Sequence, residues 1–207
     1  LNMNVKYILT SNFKNQRAIL KNMSDIEDIK LFDEFSDIIK NPKYNYEYLV
    51  IHTKMRLVNK KNYECIKNNI LELFKYIKFK YPVIILGERV YTDSKYVNLL
   101  EIQTIYKECM YLEKNNIILD LTRDNITIDY NYDSFLQDVN IIHNAFCNIN
   151  IGIGGHFCIC LALSNHHIAY IDEDFSGYFN KKSLVNNNLL YDYSGFVKEV
   201  YKYASVE

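Results

Sequence analysis

Proline and glycine are scarce in this chain, at two and six residues of 207. No Gly/Ser/Pro-rich stretch divides it into separate units, and no internal repeat runs along it. The five cysteines form no CxxC pair and their number is odd, which argues against a disulfide framework; Cys158 and Cys160 read as small buried hydrophobes. A reducing, cytoplasmic setting is the matching expectation. Apolar runs stay far below the roughly 20 residues of a membrane helix; the longest lie around Val83–Leu86 and Phe157–Leu163, so no membrane span is expected. Charge of one sign is missing too. A net charge of −1 gives no basic field for nucleic acid or an anionic membrane. With no H-x-x-x-H and no paired-carboxylate spacing, neither a metal site nor a cofactor is expected. The opening Leu1-Asn2-Met3-Asn4 is neither a signal peptide nor an obvious initiator, which suggests a fragment.

What is present is ordinary for a globular domain: 49% hydrophobic and 24% charged residues. Five continuous apolar runs stand out, at 47–52, 81–88, 116–122, 149–154 and 166–172. Such runs suit strands buried on both faces, the habit of a parallel sheet. Helical spacing separates them: Tyr63, Ile66, Ile70, Leu73, Phe74 and Ile77; then Phe135, Val139, Ile142 and Phe146 behind a cap at Asp133 or Ser134; then about 155–164; then Ser194 onward. The stretch 92–112 reads as partly helical. Alternation of this kind predicts an α/β fold, a doubly wound, mostly parallel sheet of about five or six strands with helices on both faces, Rossmann-like. Residues 46–207 would form that domain, and 1–45 a leading strand ("VKYILT") and helix ("DIKLFDEFSDIIK") packed on it.

In an open parallel sheet, ligands lie beyond the carboxyl ends of the strands. The five runs lead into "HTKMR", "GERVYTD", "DLTRD", "GIGGH" and "DEDFSG", all polar, three of them carrying arginine. Lys54, Arg56, Arg89 and Arg123 are therefore candidate donors to an anionic ligand, since arginine's planar fork matches phosphate oxygens. The stretch "INIGIGGHFCICLAL", 149–163, holds three of the six glycines, Gly152, Gly154 and Gly155, between a strand pattern and a helix pattern. A bare backbone there either cradles phosphate at the helix start or allows a tight turn with close packing. It is no G-x-G-x-x-G, because Phe157 occupies the third glycine's place, and no P-loop, because no Gly-Lys-Ser/Thr follows. His156 is a candidate phosphate contact or base. Glu88 is a candidate base or ribose ligand, with a solvated loop carboxylate as the plainer reading. His52 reads as half-buried, His143 as packing, and His166 and His167 as surface residues.

The segments "YLVIHTKMR", "VIILGER", "IILDLT" and "FLQDVNIIHNAFCNINIGIGGHFCICLAL…HIAYID", over about 46–175, resemble the carboxyl-terminal, donor-binding half of GT-B glycosyltransferases. That resemblance implies binding of a nucleotide-sugar donor through its diphosphate and sugar transfer without a metal. Gly154, Gly155 and His156 would face the diphosphate, Lys54 and Arg56 would hold phosphate charge, and Gly87, Glu88 and Arg89 would lie near the nucleoside. It also implies an amino-terminal domain or partner chain, because 207 residues are too few for two full Rossmann domains. Another class fits the same edge: a non-catalytic nucleotide- or phosphosugar-binding module acting with a partner. A hydrolase is disfavoured, as the chain has no G-x-S-x-G elbow.

Overall fold

The structure, a computed structural model, describes residues 41–57, 59–90, 102–124, 132–172 and 187–205. Residues 1–40, with the leading strand and helix expected there, lie outside the described residues.

Among the described residues, six strands form one parallel sheet: β1 (Leu49–His52), β3 (Val83–Leu86), β5 (Ile118–Asp120), β6 (Cys147–Ile151), β7 (His167–Tyr170) and β8 (Asn187–Leu190). Their spatial order is β5-β3-β1-β6-β7-β8. The first described strand lies in the middle; the sheet builds outward through β3 to β5, then crosses to the other side of β1 and builds outward again. Counting these six in chain order gives 3-2-1-4-5-6, the doubly wound order, with its reversal between β1 and β6. A two-stranded antiparallel ribbon, β2 (Lys54–Arg56) with β4 (Ile102–Thr104), stands beyond the end of β1. Lys60–Asn62 and Met110–Lys114 are short 3-10 turns.

Side chains alternate across the sheet, and both faces are covered, which is why the strands read as continuous apolar runs. One face offers Leu49, Ile51, Val83, Ile85, Ile149 and Ile168 to α1 (Tyr63–Tyr76), α2 (Tyr106–Cys109) and α5 (Tyr193–Tyr201). The other offers Val50, Ile84 and Leu86 to α3 (Tyr132–Asn144) and α4 (Phe157–Leu163). Helix α1 buries Ile66, Ile70, Leu73 and Phe74 as its three-and-four spacing dictates. It ends at Ile77, whose ψ of 136° is extended, ahead of Pro82, whose carbonyl receives the Leu49 N–H at 2.9 Å. The last helix is capped by Asp192, which accepts from the backbone of Ser194 and Gly195. Asp133 and Ser134 differ from the expected cap: α3 begins at Tyr132, which places both in its first turn.

Several boundaries also differ from the sequence pattern. β6 runs from Cys147 to Ile151, and Gly152–Gly154 lie past its end. The sixth strand, β8, is an edge strand only partly buried, so it carries no strong apolar run. Within 92–112, the described part holds β4 and only one turn of α-helix before a 3-10 turn.

Beneath α4 the sheet is polar. His52, Asn148, Asn150 and His167 are all fully buried on that face, so His52 is more deeply buried than expected and His167 is not a surface residue. His52 Nε2 lies 3.2 Å from Asn148 Oδ1 and 3.3 Å from Cys160 Sγ. His167 Nδ1 lies 2.7 Å from Asn187 Oδ1, and its Nε2 lies 2.9 Å from Asn150 Oδ1. Burial pushes His167 down to about 4 and His52 well below the ordinary histidine value, so both rings are neutral. A neutral ring has one donor and one acceptor. Asn187 keeps its oxygen toward the ring because its Nδ2 donates to Leu161 O; Asn150 also presents its oxygen, so one of the two contacts is a donor's and the other lacks a proton unless the Asn150 amide is reversed, which would also give its buried Nδ2 an acceptor.

These histidines make the fold acid-sensitive. Unfolding frees each ring to bind a proton from the ordinary value of 6.5 downward, whereas the native His167 takes one only near 4. The unfolded state therefore binds more protons between these values, and stability falls as pH drops through that window, by on the order of 3 kcal/mol for His167. Urea unfolding at pH 7 and pH 4.5 is expected to show this loss, and H167Q is expected to reduce it, with the part due to His52 remaining. An equal midpoint at both pH values would refute the account.

Candidate functional site

The reversal of strand order fixes where polar residues gather. β1 leads into Thr53 and Lys54, β3 into Gly87, Glu88 and Arg89, β5 into Thr122 and Arg123, and β6 into Gly152–His156. All lie on the carboxyl edge of the sheet.

The glycines do two different things. Gly152 has φ +74° and is buried; a Cβ there would fall on the carbonyl of Arg56. Gly154 is buried too, and a Cβ on it would sit 3.0 Å from Lys54 O. The bare backbone of these two admits β2: Ile153 N–H donates to Arg56 O at 2.9 Å, and Arg56 pairs with Gly152 as a parallel bridge. Arg56 thus meets the turn through its backbone. Gly155, at φ +62°, is exposed, with the Lys54 stem beside it: its added Cβ would lie 3.2 Å from Lys54 Cβ and 3.7 Å from Cδ.

The charged candidates divide into three groups. In the first, Lys54 Nζ meets Glu88 Oε1 at 2.9 Å, with the side chains 21% and 8% exposed. Glu88 is no solvated loop carboxylate, and its carbonyl is fixed by the hydroxyls of Thr53 (2.8 Å) and Thr104 (2.9 Å). In the second, Arg89 donates to Thr122 Oγ1 at 2.9 Å and lies 3.6 Å from Asp120 and 3.5 Å from Asp124, toward the β5 edge. Tyr106 donates to the same Asp120 at 2.9 Å. In the third, Arg123 grips Asp138 with two nitrogens, at 2.9 and 3.2 Å, and His156 Nε2 lies 3.2 Å from Asp138 Oδ2. His52 stands edge-on to His156, ring centres 5.4 Å apart.

Asp138 is the residue that pattern reading missed. It is 1% exposed, on α3. Burial alone would raise its carboxyl; the hydrogen bonds and charges of His156 and Arg123 outweigh that and hold it below the ordinary carboxylate value. Its signal was its place: three residues after Phe135 and four before Ile142, a charge inside the apolar stripe of a helix.

The chemistry available is that of donors and fixed charge. Cys160 touches His52, but burial pushes the thiol well above its ordinary value and the imidazole well below, which leaves a neutral pair and no thiolate nucleophile. Two cavities, of ≈ 680 and ≈ 560 Å³, open at the opposite, amino-terminal ends of the strands; Ile117 and Tyr201 line the larger, Tyr46 and His166 the smaller. Among the described residues, no helix is long and apolar enough to cross a membrane.

The fold class is thus a doubly wound parallel α/β sheet with a polar carboxyl edge. No protein family, curated protein or solved structure matches the chain in sequence or fold comparison.

Removing Asp138 would take away the buried carboxylate that Arg123 and His156 both face. D138A is expected to cost about 3–5 kcal/mol, as for a broken buried pair. Urea unfolding measures this, and a loss below about 1 kcal/mol would rank the triad with surface ion pairs.

Proposed function

We propose that the chain binds the diphosphate of a nucleotide-sugar at the carboxyl edge between β1 and β6, in the manner of the donor-binding half of a GT-B-type glycosyltransferase. The observation that supports this most is the strand order, whose reversal falls between those two strands. Open α/β sheets take ligands at that point because adjacent loops part there in opposite directions. Beyond it stand the Lys54 ammonium, the exposed backbone of Gly155 and the His156 ring backed by Asp138. In this reading they hold the diphosphate and stabilise the charge that grows on it as the sugar departs. The described sheet supplies one wall of such a cleft, and the acceptor's wall comes from another domain or chain.

A second reading, a nucleotide- or phosphosugar-binding module that does no chemistry, draws on the ion pairs. Lys54, Arg89 and Arg123 are each balanced by a carboxylate of this chain, so the edge has limited spare charge with which to activate a leaving group.

Calorimetric titration with UDP-, GDP- and ADP-sugars and the free diphosphates, followed by amide NMR, tests the binding. Shifts at Lys54, Gly155 and His156 are expected. K54M is expected to weaken binding by about 1.5–3 kcal/mol, the worth of a hydrogen bond to a charged group. No binding, or shifts confined to the amino-terminal end around Ile117 and Tyr201, would overturn the proposal. Release of nucleoside diphosphate in the presence of an acceptor separates the transferase from the module.

A further inference from the structure

Lys54 follows β1, the strand that stands between β3 and β6. Its side chain does not project straight out from that strand end. The stem runs beside Gly155, past the end of β6, and the ammonium is bound by Glu88, past the end of β3. One side chain therefore crosses the edge at the place where the strand order reverses. Its anchor is firm. Glu88 is nearly buried, and its backbone is clamped by two threonine hydroxyls from β1's end and from β4. Gly155 has no side chain to lift the stem away, and its positive φ disfavours every other residue there.

Resting on the diphosphate reading above, we propose that the Lys54–Glu88 pair is a strap over that site, and that a diphosphate binds by taking the ammonium from Glu88. Glu88 then acts against the ligand as an internal competitor: it offers Lys54 a carboxylate that must be left behind, nearly buried, when the lysine turns to phosphate. Glu88 thereby lowers the affinity that Lys54 lends to the ligand. Among the described residues, Asp120 and Asp124 face Arg89, Asp138 faces Arg123 and Asp172 accepts from the Asn59 backbone, while Glu88 is the carboxylate that meets Lys54.

The test is a double-mutant cycle with UDP, GDP and ADP as probes, on wild type, E88Q, K54M and K54M/E88Q, with thermal unfolding run on each. E88Q keeps the shape and removes the competing charge. It is expected to tighten diphosphate binding about three- to tenfold in the wild-type background and to change nothing in the K54M background. An equal gain in both backgrounds would mean that Glu88 acts only through the general field, and would overturn the strap. So would no gain, or a loss, in E88Q. A wild type and an E88Q that both fail to bind any diphosphate would instead overturn the nucleotide reading, and the strap with it. Should K54M prove too unstable to titrate, the Lys54 Nζ resonance of the wild-type protein decides: it is expected to move on UDP addition, and an unmoved signal at saturation would show the pair intact and the proposal wrong.

Discussion

One buried carboxylate, that of Asp138, ties together parts of the chain that the sheet itself leaves apart. It takes two hydrogen bonds from Arg123, beyond β5, and faces His156, beyond β6; β3 and β1 lie between these strands. Arg123 in turn knits its backbone to the end of β3, donating to Gly87 O and accepting from Arg89 N. Asp138 therefore links the two outer members of these four strand ends, while Lys54–Glu88 and Arg89–Asp120 join neighbours between them. A charge this deeply buried persists only while both partners stay. It helps to place His156, just past a turn that Arg56 holds through its backbone.

The same edge shows how one chemical type serves two purposes. Its cations sit where an anionic ligand would need them, yet each pairing described draws on a carboxylate of this chain. A balanced edge keeps the strand ends in register and does not collapse by repulsion. On the proposed function, it would also set a threshold: a diphosphate would have to offer a better anion than the one already present.

The sheet was legible because burial on both faces writes itself as unbroken apolar runs. β1 and β3 lie within their runs, and the alternation with helices fixed the class. What escaped lay where polar residues are buried. Asn148 and Asn150 interrupt the pattern of β6, and β8 is half-exposed, so neither strand announced its bounds. The ribbon of β2 and β4 has only three residues a side, too few for a period to emerge. The glycine-rich turn was visible, but its purpose was not. A backbone that must admit phosphate and one that must admit Arg56 make the same demand on sequence, and Gly152 and Gly154 answer the second. Asp138 left a trace, a charge in an apolar stripe, that only its distant partners explain.

The polar layer under α4 has a mechanical meaning. An apolar helix on an apolar sheet can slip by a fraction of a turn with little change in energy, because dispersion is nearly indifferent to direction. Helix α4 has no such latitude: Cys160 meets His52, Leu161 O accepts from Asn187, and Ser164, just past its end, accepts from Asn148. Each contact has an angle as well as a distance, and sliding breaks them together. The helix is indexed to the sheet as a key is to its notches, and the turn that leads into it stands at one fixed height above β6.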